Sequence, residues 1–131
     1  MEAVVDASVI IAVIVNEAQK PILINKTRDV DLIAPSSIHW EIGNAFSAML
    51  KRQRITIQQA LQAITTYQQI PLRFVDVELA DSVKLAAELN LYAYDAYLLR
   101  CAVKYHAPLL TLDHQLSLAA RKMSIKVLEI E

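Results

Sequence analysis

The stretch Ala3-Val4-Val5-Asp6-Ala7-Ser8 decides the fold, because it predicts a buried strand that ends in a carboxylate. The apolar segment from Val9 to Val15 follows directly and predicts a helix. In open α/β sheets, ligands bind outside the carboxyl ends of the strands. The stretch therefore predicts a functional edge of a sheet, at which further acidic residues should gather.

Length and composition indicate one domain. The chain has 131 residues, which suits one domain with a substantial core and is short for two, so we expect a single domain over residues 1–131. Apolar residues make up 55% of the chain, and the formal net charge of −1 lacks the basic balance typical of nucleic-acid binding.

A cytoplasmic location is expected. Cys101 is the one cysteine, so no intrachain disulfide can form, which fits a reducing compartment. The start Met1-Glu2-Ala3 is acidic and does not resemble a signal peptide. The apolar run from Ala7 to Val15 is far shorter than the roughly 20 residues of a membrane span.

Strands alternate with helices along the chain. Strands are predicted at residues 3–6, 31–35, 72–76, 109–112 and 126–130. Helices are predicted at residues 7–15, 18–28, 38–53, 57–69, 78–90, 95–106 and 114–123. This alternation predicts an α/β fold with a mostly parallel central sheet and helices on both faces.

The helix boundaries are predicted from capping residues. Ser36-Ser37 and Thr56 should cap the third and fourth helices, while Asn16-Glu17 and Asn90 should end the first and fifth. The fifth and sixth helices should turn inward an apolar set made of Leu79, Val83, Leu85, Ala86, Leu89, Leu98, Leu99, Ala102 and Val103.

Four acidic residues are expected near the predicted functional edge: Asp6, Glu41, Asp95 and Asp113. Helix capping is the simpler interpretation of each aspartate, because each precedes a predicted helix. Glu41 fits capping poorly, because it misses the capping-box spacing from Ser37 and has apolar neighbours. Asn44 shares its helical face, and together the two polar side chains indicate a polar target.

Crowded carboxylates repel one another unless a cation neutralises them. Mg²⁺ or Mn²⁺ does so with oxygen ligands, and such an ion can activate water for hydrolysis of a phosphodiester. Gly43 is the only glycine, which excludes a glycine-rich phosphate loop and a dinucleotide-binding fingerprint. Acids without a phosphate loop therefore suggest hydrolysis of a phosphodiester backbone.

Several other features have two interpretations. Lys51, Arg52 and Arg54 could line an RNA path or form a solvated helix end. Tyr92, Tyr94 and Tyr97 flank Asp95 and could stack on bases, although packing between helices is the simpler role for at least two of them.

Rival site chemistries fit less well. A zinc site at His39, His106 and His114 has the wrong spacing and no cysteine pair, and His114 is expected at the surface rather than as a general base. A haloacid-dehalogenase-like phosphatase needs a second aspartate where Ser8 stands. A receiver domain could use Asp76 as phosphoacceptor but needs an acid pair that is absent.

The chain resembles the PIN domain family and, within it, the VapC toxins of toxin–antitoxin pairs. Four short motifs in order carry the resemblance: Val5-Asp6-Ala7-Ser8-Val9, Glu41-Ile42-Gly43-Asn44-Ala45, Tyr94-Asp95-Ala96-Tyr97-Leu98 and Leu110-Thr111-Leu112-Asp113. They extend over nearly the whole chain. Ala7 departs from the pattern, because many relatives carry Ser or Thr there.

The resemblance implies a three-layer α/β/α sandwich and a metal-dependent endoribonuclease. Asp6, Glu41, Asp95 and Asp113 match the family's acidic quartet, which would hold Mg²⁺ or Mn²⁺, and Ser8 and Thr111 match the supporting hydroxyls. The resemblance also implies a homodimer, a cognate antitoxin and a structured RNA substrate. A non-catalytic PIN-like interaction module is the main alternative, and it should have lost at least one of the four acids.

Overall fold

A computed structural model describes residues 1–15 and 18–128. Within these residues there are four strands: β1 (Glu2–Val5), β2 (Asp31–Pro35), β3 (Leu72–Val75) and β4 (Leu109–Leu110). The same part of the chain forms seven helices: α1 (Ala7–Ile14), α2 (Lys20–Thr27), α3 (Ile38–Lys51), α4 (Ile57–Gln68), α5 (Leu79–Leu89), α6 (Ala93–Lys104) and α7 (His114–Lys122).

The strands form one parallel sheet in the order β3-β2-β1-β4. The first strand in the chain is therefore central, and its partner β4 comes from the other end of the chain. Every strand points the same way, so the segments that follow β1, β2 and β4 all leave the sheet at one edge. The predicted mostly parallel sheet is confirmed.

Side chains alternate between the two faces of the sheet, as strand geometry requires. Val5, Ala34 and Leu110 pack with α1, α2, α3 and α4 in one apolar core. Their neighbours Val4, Ile33 and Leu109 pack with α6 and α7 in a second core on the opposite face. Two apolar layers of helices therefore enclose the sheet, and the predicted three-layer sandwich is confirmed.

The helix ends use residues other than glycine. Gln53, Asn90, His106 and Ser124 all have positive φ, between 51° and 60°. After α3, the N–H of Gln53 donates to the carbonyl of Leu50 and the N–H of Arg54 to that of Met49, which is a Schellman motif. Asn90 ends α5 as predicted, and Thr56 caps α4 with Gln59 in a capping box.

Ser37 does not cap α3 through its side chain, although the sequence predicted a serine cap. Its backbone is helical, with φ −57° and ψ −19°, whereas a capping residue is normally extended. The hydroxyl of Ser37 is therefore not placed to accept from the first turn.

Two strands are shorter than predicted. β4 ends at Leu110 because the N–H of Leu112 donates to Ser8 Oγ, at 3.0 Å, instead of continuing the ladder. The predicted strand at 126–130 is reduced to a single bridge between Leu109 and Val127, and its residues 129–130 lie outside the described residues. Asn16-Glu17, predicted to end the first helix, also lies outside them.

The predicted inward face of α5 is partly wrong. Leu79 and Val83 are 65% and 54% exposed, whereas Ser82 is buried and donates to the carbonyl of Glu78. α5 packs mainly on α6, and the face that carries Ser82 is the one turned inward. Val103 of α6, also predicted inward, is 37% exposed.

Candidate functional site

Asp6 lies directly after the central strand β1 and is only 5% exposed. Ser8 Oγ donates to its Oδ1 at 2.6 Å, and Thr111 Oγ1 donates to its Oδ2. The N–H of Val9 also donates to Oδ1, at 3.2 Å, so Asp6 caps α1 as well. Burial raises the pKa of Asp6, these donors lower it, and the nearby charge of Asp113 raises it.

The two hydroxyl groups that hold Asp6 also hold the chain after β4. Ser8 Oγ accepts from the N–H of Leu112 at 3.0 Å, and Thr111 Oγ1 accepts from the N–H of Asp113 at 2.9 Å. Each hydroxyl therefore links Asp6 to the segment that carries Asp113. This hydrogen-bond network fixes the geometry at the carboxyl ends of β1 and β4.

Glu41 lies in the first turn of α3, which follows β2. Its Oε2 atom is buried and has no hydrogen-bond partner among the described residues. Burial raises the pKa of Glu41 to about 7, and the charges of Asp6 and Asp95 contribute to the rise. A buried carboxylate oxygen without a donor is unfavourable unless a cation or a proton neutralises it.

Asp95 and Asp113 complete the acidic edge from two further helices. Asp95 lies in the first turn of α6 without capping it, whereas Asp113 caps α7 by accepting from Gln115 and Leu116. Burial raises the pKa of Asp95, and the charge of Asp113 raises it further. Capping thus accounts for part of the role of Asp6 and Asp113, and for none of the position of Asp95.

The four acids come from four helix starts and influence one another's charge. Asp113 acts on Asp6 and Asp95, which in turn act on Glu41. In the described part of the chain, however, no three acidic, histidine or cysteine side chains stand close enough to ligate one ion as they are. Hydrogen bonds within the protein already occupy both oxygens of Asp6 and one oxygen of Asp113.

The other predicted residues lie at varying distances from this edge. Asn44 is exposed on α3, one turn after Glu41. Lys51, Arg52 and Arg54 are exposed near the opposite end of α3, about 15 Å along the helix axis from Glu41. Their predicted contact with RNA stays a prediction.

The aromatic residues divide into exposed and packed groups. Tyr92 and Tyr94 are 88% and 40% exposed, and Tyr94 makes an edge-to-face contact at 6.2 Å with Tyr97 of the same helix. His39 accepts or donates a hydrogen bond of 2.8 Å with the hydroxyl of Tyr67, and its ring packs on Phe74. His39 therefore joins α3 to α4 and β3. His114 lies exposed at the start of α7, as expected.

Ser37 is a feature that the sequence did not reveal. Its Oγ is buried without a hydrogen-bond partner among the described residues. It lines a cavity of about 200 Å³ together with Asp76 and Tyr97. Only the backbone conformation of Ser37 separates this arrangement from an ordinary helix cap, and no sequence signal specifies that conformation.

The fold and this edge define an α/β protein with an acidic cluster at the carboxyl ends of parallel strands. The chain belongs to the PIN domain family, whose model matches residues 4–127. The predicted family resemblance is thereby confirmed. No curated protein matches the sequence significantly.

Three solved structures share the fold. PAE2754 from Pyrobaculum aerophilum has a TM-score of 0.72 at 19% identity, over 94% of this chain and 86% of that protein. VapBC2 from Rickettsia felis, bound to a DNA fragment from its promoter, has a TM-score of 0.68 at 13% identity, over 98% of this chain and 98% of that chain. VapC20 from Mycobacterium tuberculosis, a toxin that cleaves the sarcin–ricin loop, has a TM-score of 0.65 at 14% identity, over 89% of this chain and 94% of that chain. At these identities the likeness establishes the fold.

No helix in residues 1–15 and 18–128 combines the length and apolar character required to cross a membrane.

Proposed function

We propose that the protein is a metal-dependent endoribonuclease that acts as the toxin of a toxin–antitoxin pair. The observation that carries the proposal is the gathering of Asp6, Glu41, Asp95 and Asp113 at one sheet edge, where their charges interact. Membership of the PIN domain family and the shared fold of two VapC-type structures support it. We further propose a cytoplasmic protein that folds as one domain.

The donor set suits a hard divalent cation. Carboxylate oxygens are preferred ligands of Mg²⁺ and Mn²⁺, and the unpartnered Oε2 of Glu41 is a buried acceptor that such a cation would neutralise. Glu41, Asp95 and Asp113 would hold the ion together with Asp6. When bound, the ion would supply an activated water and charge stabilisation at the scissile phosphate.

The chain's own residues prepare this site. Ser8 and Thr111 hold the Asp6 carboxylate in one orientation through both of its oxygens. The links from the same hydroxyls to Leu112 and Asp113 place the fourth acid relative to the first. Asn44, exposed one turn after Glu41, is proposed to donate to the RNA backbone, since its amide is free to face solvent.

Cleavage assays on charge-neutral variants test the function. Glu41→Gln and Asp95→Asn should each reduce RNA cleavage in Mn²⁺ at least about a hundredfold, because each removes a charge from the reacting site. Glu88→Gln and Asp29→Asn make the same chemical changes at exposed positions away from the edge and should cleave normally. A fully active double variant of Glu41 and Asp95 would refute the assignment.

Two partner contacts are proposed. A cavity of about 560 Å³ between α1, α3 and α4 has an apolar side with Ile14 and Phe46 and a polar side with Gln58, Gln62 and Thr66, and it would accept an amphipathic segment of the antitoxin. The exposed Val83 on α5 would contact a second copy of the chain. Light scattering should give twice the mass of one chain, and Val83→Glu should return the monomer. A wild-type monomer would contradict the homodimer.

The basic residues Lys51, Arg52 and Arg54 are proposed to follow the RNA backbone beyond the acidic edge. Each phosphate contact contributes about one to the slope of log affinity against log salt. Alanine at all three positions should therefore weaken RNA binding and flatten that slope. An unchanged slope would leave these residues as a solvated helix end.

A further inference from the structure

A small pocket with both polar and apolar walls lies beside the acidic edge. The cavity of about 200 Å³ opens between the end of β2, the end of β3 and the first turns of α6. Ser37, on its wall, lies one helical turn before Glu41, and Tyr97, on another wall, lies two residues after Asp95. The helices that carry two of the four acids therefore also form this pocket.

The polar groups of the pocket are not used by the fold. Within the described residues, the buried hydroxyl of Ser37 has no hydrogen-bond partner, and the side chain of Asp76, an exposed residue at the mouth of the pocket, forms no hydrogen bond or ion pair. Only the backbone carbonyl of Asp76 is used, as acceptor from Lys104 and Tyr105. Buried polar groups normally have partners, so an unpartnered hydroxyl in a cavity wall indicates a ligand.

The walls suit a planar apolar ring. Val75, Val77 and Leu79 line the cavity beside the aromatic ring of Tyr97. Its volume equals that of roughly seven liquid waters, which fits one base and is too small for a whole nucleotide. A phosphate group would be repelled by Asp76, so the ligand is a base rather than the RNA backbone.

We infer that this pocket binds an unpaired guanine next to the cleaved phosphodiester. An ionised carboxylate only accepts hydrogen bonds, and it accepts two in parallel when a ligand offers two adjacent donors. Among the four RNA bases, guanine alone presents two adjacent N–H donors on its Watson–Crick edge. Asp76 accepts both of them, and the Ser37 hydroxyl donates to a remaining acceptor, the guanine carbonyl.

The geometry also restricts the form of the RNA. A base can enter the pocket only with its Watson–Crick edge free, so the guanine lies in a single strand, a loop or a bulge. This inference rests on the proposed ribonuclease function, because the acidic edge beside the pocket receives the phosphate that follows or precedes the guanine. The binding itself needs neither a metal ion nor cleavage.

Binding of short RNAs in EDTA tests the pocket without catalysis. Fluorescence anisotropy compares four labelled pentamers, four uridines around a central guanine, adenine, cytosine or uracil, on the full-length chain. The guanine pentamer should bind about tenfold or more tightly than the other three, as one bidentate contact provides. Equal binding of all four pentamers, or no binding, would overturn the inference.

Three variants separate recognition from folding. Asp76→Asn should abolish the guanine preference, whereas Asp29→Asn, the same change at the opposite edge of the sheet, should keep it. Ser37→Ala should weaken guanine binding without lowering the thermal midpoint, because that hydroxyl makes no hydrogen bond in the fold. A guanine preference that survives Asp76→Asn would overturn the inference.

A parallel cleavage assay in Mn²⁺ keeps the two proposals distinguishable. Guanine-selective binding without cleavage would support the pocket and contradict the ribonuclease function. Cleavage with no base preference in binding would support the ribonuclease function and overturn the pocket.

Discussion

The hydroxyl of Thr111 donates a hydrogen bond to Oδ2 of Asp6, a residue 105 positions away in the chain. The hydroxyl oxygen of Thr111 also accepts from the N–H of Asp113, and Ser8 donates to the other carboxylate oxygen of Asp6. Since Asp6 is 5% exposed, these donors replace water around its carboxylate. The ends of β1 and β4 are thus joined by side chains where the acids meet.

Thr111→Val should lower the free energy of unfolding by about 1–3 kcal/mol, because it leaves a buried carboxylate oxygen and the N–H of Asp113 without this partner. Urea unfolding at neutral pH measures the change. Thr65→Val on α4 is the matched control: its hydroxyl is exposed and donates only to the carbonyl of Leu61, so the change should be within about 0.5 kcal/mol. Equal losses in both variants would contradict this account of the Thr111 bond.

The stability of the metal-free protein should fall as pH rises from 4.5 to about 7. The folded state raises the pKa of Glu41 from 4.5 to about 7, so it holds this proton more tightly than the unfolded chain does. The stabilisation from this proton is complete below the pKa of the unfolded chain. It decreases between the unfolded and the folded pKa values and does not change further at higher pH.

Glu41→Gln should remove this part of the pH dependence. In EDTA at about pH 8 the variant should be more stable than the wild type, by the order of 1–2 kcal/mol after allowance for solvent screening of a partly exposed group. The measurement is urea unfolding at a series of pH values. A wild type whose stability increases steadily over the same window would contradict the raised pKa of Glu41.

Manganese should stabilise the wild type and not the variants of the acidic edge. A ligand that binds only the folded state at a hundred times its dissociation constant adds about 2.7 kcal/mol. The thermal midpoint of the wild type should therefore rise with Mn²⁺, and that of Glu41→Gln or Asp95→Asn should rise much less. Glu88→Gln should respond as the wild type does. Equal shifts in all four proteins would place the bound ion elsewhere.

Gln53→Gly should stabilise the protein by about 0.4–1 kcal/mol. Gln53 has a φ of 56° at the end of α3, a conformation that glycine adopts without the steric cost of a Cβ atom. Gln62→Gly, inside α4, should instead destabilise it by about 1 kcal/mol, because glycine there only adds backbone freedom to the unfolded chain. Chemical denaturation measures both, and a destabilised Gln53→Gly would contradict the motif.

The sequence predicted the central sheet and the acidic edge because their signals are local. Three residues each specify the local backbone conformation at a helix boundary: Asp6 at the end of an apolar strand, Thr56 before an apolar helical pattern and Asn90 at a helix end. The parallel sheet follows from alternation of strands and helices. The prediction that these four acids, far apart in the sequence, form one site came from the family resemblance.

The features that the sequence missed depend on contacts between distant segments. Leu79 and Val83 have the spacing of an inward helical face, but a helix with two apolar stripes does not specify which one meets α6. β4 ends early because Ser8, far away in the chain, accepts the N–H of Leu112. Ser37 adopts helical dihedrals instead of an extended cap, which leaves its hydroxyl to the pocket.

The strand order has a consequence for synthesis of the protein. β1 is synthesised long before β4, yet β4 is one of its two neighbours in the sheet. Until β4 has been synthesised, β1 has an unpaired edge, and Asp6 lacks the donor that Thr111 provides. A nascent chain that stops before β4 therefore cannot assemble the acidic edge, so whatever chemistry this edge performs requires the segment that carries Thr111 and Asp113.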